Sequence, residues 1–293
     1  MEFNNEIINQ NNEDIINPII YFNQFSKGYI VSSQGKRKTM EDFYLIEVYK
    51  SIIIYGIFDG HSGDFISSKL PILIKDSLIK KLEIIKNDKN KIISTINNFF
   101  IDIDKIFYNE WKLNKFLDDG STANIIICID KDIYFVNLGD SRALFFNNDK
   151  IIFSTQDHKP DNPNEQFRIL KSGNTVIKRG EYYRINGSLA VSRSFGDFVY
   201  KITNDKYDGI NSSVSIIPNI TVINIPKSKR NKPRYIIIAS DGLWDVFSNI
   251  EIKNYINKSL KKGETTKSIL TNLIKMAWSR NSHDNISIIL IYI

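Results

Sequence analysis

Four apolar runs of strand length abut an aspartate. The run Ser51 to Phe58 stops on Asp59, Gly60 and His61; Arg234 to Ser240 stops on Asp241 and Gly242; Asp132 to Gly139 stops on Asp140; and Asn285 to Tyr292 begins just after Asp284. Short Ile-rich runs bounded by Gly and Asp predict buried strands. One Asp-Gly is ordinarily a turn, because Asp bonds readily to nearby backbone amides. Four acids at strand ends are different: if those ends converge, the carboxylates repel and raise one another's pKa unless cations lie between them. A metal site is the economical expectation.

The rest of the pattern predicts further strands at Gly28 to Ser33 and Phe43 to Tyr49, around a polar turn from Gln34 to Asp42. After Gly63 comes a helical stretch that Pro71 should kink or divide, since proline lacks the amide and clashes with the preceding turn. A cleaner helix is expected from about Lys91 to Trp111, with Ile92, Ile93, Ile96, Phe99, Phe100, Ile103, Ile106 and Phe107 at helical spacing on its core face. From Ser121 the period turns strand-like, with turn signals at Asp130, Gly139 and Asn147 that predict an antiparallel meander. Glu165 to Lys171 reads as a short helix, Gly173 to Asn211 as a long polar region with little regular structure, and Val214 and Ile220 to Ile225 as strands. Ser248 and Glu251 have capping-box spacing, and Thr265 or Thr266 can cap a last helix carrying Ile269, Leu270, Leu273, Ile274 and Ala277. Short strand links with interspersed helices predict an α+β fold of antiparallel sheets covered by helices. The expected organisation is a loosely ordered arm at 1–24 followed by one domain at 25–293.

Composition narrows the class. The chain is 42% hydrophobic and 25% charged, an ordinary globular balance. No apolar run approaches the ~20 residues of a membrane span, and the amino terminus has neither a secretory pattern nor a Gly at position 2. The net charge of +6 is scattered, and its densest patch, Lys227 to Lys232, reads as a solvated loop. A single cysteine, Cys128, excludes an internal disulfide and reads as a packed thiol in a reducing compartment.

Eight short motifs then fall in one order: Arg37 to Asp42 (RKTMED), Phe58 to His61 (FDGH), Gly120 to Ala123 (GSTA), Gly139 to Arg142 (GDSR), Asp157 to Pro160 (DHKP), Asn186 to Arg193 (NGSLAVSR), Ala239 to Asp245 (ASDGLWD) and Ser282 to Asn285 (SHDN). Spanning about residues 28 to 293, the series resembles the PP2C (PPM) family of metal-dependent protein phosphatases. The resemblance implies a two-sheet antiparallel β-sandwich with helices on both outer faces, α-β-β-α, and two Mg or Mn ions at one end. By the same resemblance Asp59 bridges the two ions with the Gly60 carbonyl ligating, Asp241 and Asp284 hold one ion, Glu41 lies on the other side, Asp42 holds water, and Asp140 and Asp245 serve a weaker third ion. Arg37 takes the place of the phosphate-binding arginine, and His61 that of the acid that protonates the leaving alcohol.

The residue chemistry agrees with this set. Carboxylates without Cys or a His pair favour hard Mg or Mn over Zn, and a guanidinium fork holds two phosphate oxygens at once. On its own, Arg37 reads as a solvated charge in a basic turn, and His61 as a hydrogen-bonding support beside a ligand. His158 is expected to pin the loop before Pro160, His283 to be only a neighbour of Asp284, and Arg193 to brace the long polar region. Asn281 stands where many members of the family have Gly, and Asn also tolerates a left-handed backbone. The expected activity is hydrolysis of serine/threonine phosphoproteins without a covalent intermediate, by a monomer in the cytoplasm or nucleus that engages neither nucleic acid nor membrane. Two alternatives are a catalytically inactive domain that binds a partner, and a hydrolase of small phosphoesters.

Overall fold

The structure is a computed structural model that describes residues 16–17, 27–114, 118–203, 205–225 and 233–293. Its elements build two antiparallel sheets. The first has the order Ile16–Asn17, Lys27–Ser33, Ile286–Tyr292, Arg234–Ala239, Arg142–Asn147, Ile151–Ser154. The second is centred on Ile52–His61, with Asp42–Tyr49 on one side and Ala123–Ile129, Asp132–Leu138 and Asn219–Asn224 in succession on the other. Near its Gly60–His61 end, two short strands, Gly120–Ser121 and Phe195–Gly196, extend the pairing.

The Ile-rich runs lack a clean alternation because both faces of these strands are covered. Tyr55 and Ile57 meet Ile236, Ile238, Ile289 and Ile291 of the other sheet, while Ile52, Ile54 and Phe58 turn outward onto helices. That outer layer is Phe65–Leu73 with its continuation, and Lys89–Asn114. Asn249–Lys261 and Thr266–Ser279 cover the first sheet in the same way through Ile252, Ile256, Leu270 and Leu273. The four layers are helix, sheet, sheet, helix, as expected. Each fully buried Ile favours this arrangement by roughly 1.5–3 kcal/mol over exposure.

Several local expectations need correction. The predicted meander is divided: Ala123–Ile129 and Asp132–Leu138 lie in the second sheet, but Arg142–Asn147 and Ile151–Ser154 lie in the first. The chain crosses at Gly139, whose φ of 96° suits glycine. Val214 is not in a strand; the adjacent Ser215 makes only an isolated bridge to Arg193. The polar region 173–211 is more regular than expected, with a hairpin of Val176–Arg179 and Tyr182–Ile185, a second pair of Ile202–Thr203 and Lys206–Tyr207, and a 3₁₀ turn at Phe198–Tyr200. Ile106 is exposed, off the buried stripe of its helix. Pro71 lies inside Phe65–Leu73, and the helix widens to a π-turn at Ile74–Leu78 before resuming as Ile79–Ile85.

Of the expected arm, Ile16–Asn17 pair with Ser32 and Ser33, and its other residues lie outside those described. The basic cluster Lys227 to Lys232 also lies outside them. Among the described residues no helix is long and apolar enough to cross a membrane.

Candidate active site

Every acid singled out in the sequence sits at one end of the sandwich, where the chain passes between sheets. The loop 34–41 joins a strand of the first sheet to one of the second and carries Arg37 and Glu41. Asn285 fastens that loop: its side-chain amide donates to Gln34 O (2.8 Å) and Thr39 O (3.0 Å), and its Oδ1 accepts from Glu41 N (2.7 Å). Asp140 lies in the other crossing. His158 pins that turn, accepting from Gly139 N at Nδ1 (3.1 Å) while its backbone N–H donates to Gly139 O (3.0 Å). Burial, with Arg193 nearby, pushes His158 down to about 3, so it stays neutral and Nδ1 can accept.

The register places Asp42 directly opposite Asp59, an unfavourable pairing of like charges. Ser240 Oγ donates to Asp42 Oδ2 (2.8 Å), whereas buried Oδ1 has no partner among the described residues. Asp59 Oδ2 receives only a long contact from Asp241 N (3.5 Å). Gly60 N donates to Glu41 O (3.1 Å), and a side chain at position 60 would bring a Cβ within 2.6 Å of that same oxygen, so only glycine allows the two segments to meet.

Electrostatics record the crowding. Burial first, then Asp42, Asp241, Asp140 and Asp284, holds Asp59 well above the usual carboxylate range. Asp241 is raised in the same way by burial, Asp140 and Asp245. Burial lifts Asp42 to about 7 against the pull of Ser240, and lifts Asp140 to about 6 against the pull of Lys159.

Protein cations hold the outer acids. Arg37 Nη2 bonds Asp284 Oδ2 at 2.6 Å, and Lys159 Nζ lies 3.2 Å from Asp245 Oδ1 and 3.7 Å from Asp140 Oδ2. Tyr182, on the Val176–Arg179/Tyr182–Ile185 hairpin, donates to Asp245 Oδ2 (3.0 Å). His61 Nε2 meets both oxygens of Asp197, at 2.8 and 3.0 Å. Burial disfavours the imidazolium, but Asp197 outweighs it and holds His61 above the usual histidine range. These side chains line one cavity of about 780 Å³.

Whether a divalent ion fits can be judged from the donors. Among the described residues no group of three or more His, Cys, Asp or Glu is arranged to grip one ion unaided. Asp284 and Asp245 are paired with Arg37 and Lys159. A Mg ion keeps several waters and takes one or two carboxylates, so a fully formed protein cage is not required. The buried, unpartnered Asp42 Oδ1 and the raised carboxyls of Asp59 and Asp241 are oxygen donors that a hard cation would satisfy. The residues present fit such an ion.

Sequence reasoning missed Asp197, Lys159 and Asn285 as site residues. Lys159 and Asn285 lie inside the DHKP and SHDN motifs without a role assigned to them, and Asp197 lies in the stretch expected to be irregular. Arg193 braces, as expected, with both Nε and Nη2 on Glu165 and Nη1 on Ile217 O. His283 is exposed and meets Asn281 Oδ1 (2.7 Å). Cys128 is partly buried against the inter-sheet core, and burial pushes its thiol up to about 12.

An acid-rich end of a helix-covered antiparallel sandwich, with an arginine at its rim, suits phosphate chemistry on hard cations. The family model described as Protein phosphatase 2C matches residues 27–286, and the chain belongs to that family. It is 32% identical over 279 residues to Protein phosphatase 1B of Homo sapiens, covering 89% of this chain and 56% of that protein. Against Protein phosphatase 1A of Homo sapiens it is 32% identical over 274 residues, covering 89% and 69%. The chain thus spans little more than half the length of the first of these relatives. In fold it is similar to the serine-threonine phosphatase 2C from Toxoplasma gondii, with a TM-score of 0.72 and 23% identity over 96% of this chain and 99% of that one. A second phosphatase from Toxoplasma gondii gives a TM-score of 0.75 at 20% identity, over 91% and 92%.

Proposed function

We propose that the chain is an active phosphatase of phosphoserine and phosphothreonine proteins that works on two Mg or Mn ions without a covalent intermediate. The observation that carries this reading is the meeting of Asp42, Asp59, Asp140 and Asp241 at the sheet seam, each held above the usual carboxylate range by burial first and by neighbouring carboxylates second. Such a cluster opposes folding at neutral pH unless cations offset it. An inactive binding domain has no use for that cost, and this weighs against the alternative.

Bound divalent ions supply Lewis-acid activation of water and neutralise phosphate charge. Asp59, the Gly60 carbonyl and Glu41 would hold one ion, and Asp59, Asp241 and Asp284 the other; Asp140 and Asp245 would serve a weaker third. Asp42, whose buried Oδ1 has no partner among the described residues, would hold water beside the ions. Arg37, exposed at the rim, orients the phosphate through its planar fork once Asp284 no longer claims it. His61 carries the proton that the departing alkoxide needs. Its Nε2 is taken by Asp197, so Nδ1, which has no partner among the described residues, is the nitrogen free to donate. The oxygen of water bonds to phosphorus as the bond to the serine or threonine oxygen breaks, giving inorganic phosphate and the free alcohol.

The test is phosphate release from a phosphothreonine peptide, with Mn or with EDTA, by wild-type protein, Asp59→Asn and Arg37→Ala. Release is expected to require Mn, to fall by about 10³-fold or more in Asp59→Asn, and to fall about 10–100-fold in Arg37→Ala, mainly through KM. Equal release in EDTA contradicts the mechanism, and no release under any metal condition favours the inactive alternative.

A further inference from the structure

Beneath the His61–Asp197 pair lies an ion pair without solvent contact. Lys201 and Asp104 are both fully buried. Lys201 Nζ donates to Asp104 Oδ2 and to Ser194 O, each at 2.8 Å. Asp104 Oδ1 accepts from Gly196 N (2.8 Å), and Tyr207 OH donates to Oδ2 (2.5 Å). Asp104 on the Lys89–Asn114 helix and its partner Lys201 therefore grip the two ends of the segment 194–196, directly before Asp197, at Gly196 N and Ser194 O.

That segment is the route to the imidazole. Gly196 pairs with Gly120, and Gly120 with His61, so the Asp197 carboxylate is delivered across two short strands to the ring. Asp197 adopts a left-handed backbone (φ 53°), uncommon away from glycine and maintained only where surroundings enforce it. Ser194 Oγ donates to Asp197 Oδ2 (2.5 Å), tying the carboxylate to the same gripped segment. Asp118 accepts from Phe198 N and Val199 N at 2.8 Å each and fixes the far side.

Stability is a poor reason for such a cluster. Buried ion pairs lose so much hydration that well-packed apolar replacements are often neutral or stabilising, whereas removing one partner alone is costly. Burial itself pushes the Asp104 carboxyl up, against the opposing pull of Lys201, Tyr207 and the Gly196 amide. What the cluster supplies is a fixed position for two backbone groups beside the site, Ser194 O and Gly196 N.

We propose that Asp104, Lys201 and Tyr207 are positioning residues for the phosphatase reaction: they hold the Ser194–Asp197 segment so that Asp197 orients His61 toward the leaving oxygen. The inference rests on the phosphatase reading and deepens it. Its consequence is selective. A phosphothreonine substrate leaves as an alkoxide and needs the proton; p-nitrophenyl phosphate leaves as a stabilised phenolate and does not.

The test uses the full chain with the double substitution Asp104→Leu/Lys201→Met, which leaves no charge unpaired, and Tyr207→Phe, which removes one hydroxyl donor. Turnover is measured on a phosphothreonine peptide and on p-nitrophenyl phosphate with Mn, and the His61 imidazole signal is followed by ¹H–¹⁵N NMR in the metal-free protein, assigned by its loss in His61→Gln. The double variant is expected to lose about tenfold or more in kcat on the peptide, to stay within about twofold on p-nitrophenyl phosphate, and to shift the His61 signal. Equal losses on both substrates, no loss on the peptide, or an unmoved His61 signal overturns the proposal. Should the double variant not fold, Tyr207→Phe decides, with about a threefold selective loss and a smaller shift expected. If wild-type protein releases phosphate from neither substrate, the phosphatase reading fails instead, and the His61 signal alone decides whether the cluster positions the ring.

Discussion

At the scale of single residues the site is governed by carboxylates that the fold forces together. Asp42 is raised to about 7 by burial, and Asp59 and Asp241 are held well above the usual carboxylate range by burial and by their neighbours. An unfolded chain ionises such groups near pH 4. Between that value and their folded pKa the folded protein binds more protons than the unfolded chain, so stability present at lower pH is lost as pH rises. His61, also raised, acts with the same sign. The metal-free protein is therefore expected to melt at a lower temperature at about pH 8 than at about pH 6.5. Mn should recover more of the loss at the higher pH, each kcal/mol being worth about 2 °C in a domain of this size. A melting temperature that is flat or rising over that window contradicts the account. Asp59, Asp140, Asp241 and Asp284 were legible because each abuts an apolar run, whereas Glu41, Asp42 and Asp245 were marked only by the family resemblance; Lys159 and Asp197 were not legible, since nothing in a lone Lys or Asp tells which distant carboxylate or imidazole it will face.

Elements with one buried face were the readable ones. Asn249–Lys261 begins on the capping box of Ser248 and Glu251, and Thr265 caps Thr266–Ser279. The strands were found but not assigned to sheets, because runs covered on both faces carry no alternation that says which neighbour they pair with. The same ambiguity made the strands after Ser121 read as one meander. The hairpin Val176–Arg179/Tyr182–Ile185 was missed for the opposite reason: mostly exposed, it shows no apolar face, and only Gly180 at its tip (φ 63°) marked it. Asn281 is left-handed (φ 69°) just past the Thr266–Ser279 helix and leads directly to Ser282, whose hydroxyl donates to Gly242 O (2.7 Å). Asn281→Gly is expected to leave stability within about 0.5 kcal/mol, whereas Asn281→Ala should cost about 1 kcal/mol. Urea unfolding of both variants checks this, and equal stabilities would show that the backbone there is not held left-handed.

For the molecule as a whole, the site belongs to neither sheet alone. Asp42 and Asp59 come from the second sheet, Asp241 and Asp284 flank strands of the first, and Glu41 and Asp140 lie where the chain crosses between them. Packing of Tyr55 and Ile57 against Ile236, Ile238 and Ile289 therefore sets how closely the acids approach. Antiparallel sheets covered by helices followed from the short links, and the two-sheet sandwich from the family resemblance, but the convergence at one end depends on which crossings the chain makes, and that is a property of the assembled sandwich. Calorimetric titration of Mn into the metal-free chain, beside Asp59→Asn, tests the convergence most directly. Wild-type protein is predicted to take up at least two ions with release of protons from the raised carboxyls, and Asp59→Asn to lose the tight phase. Identical isotherms for the two proteins, or no uptake by either, would contradict it.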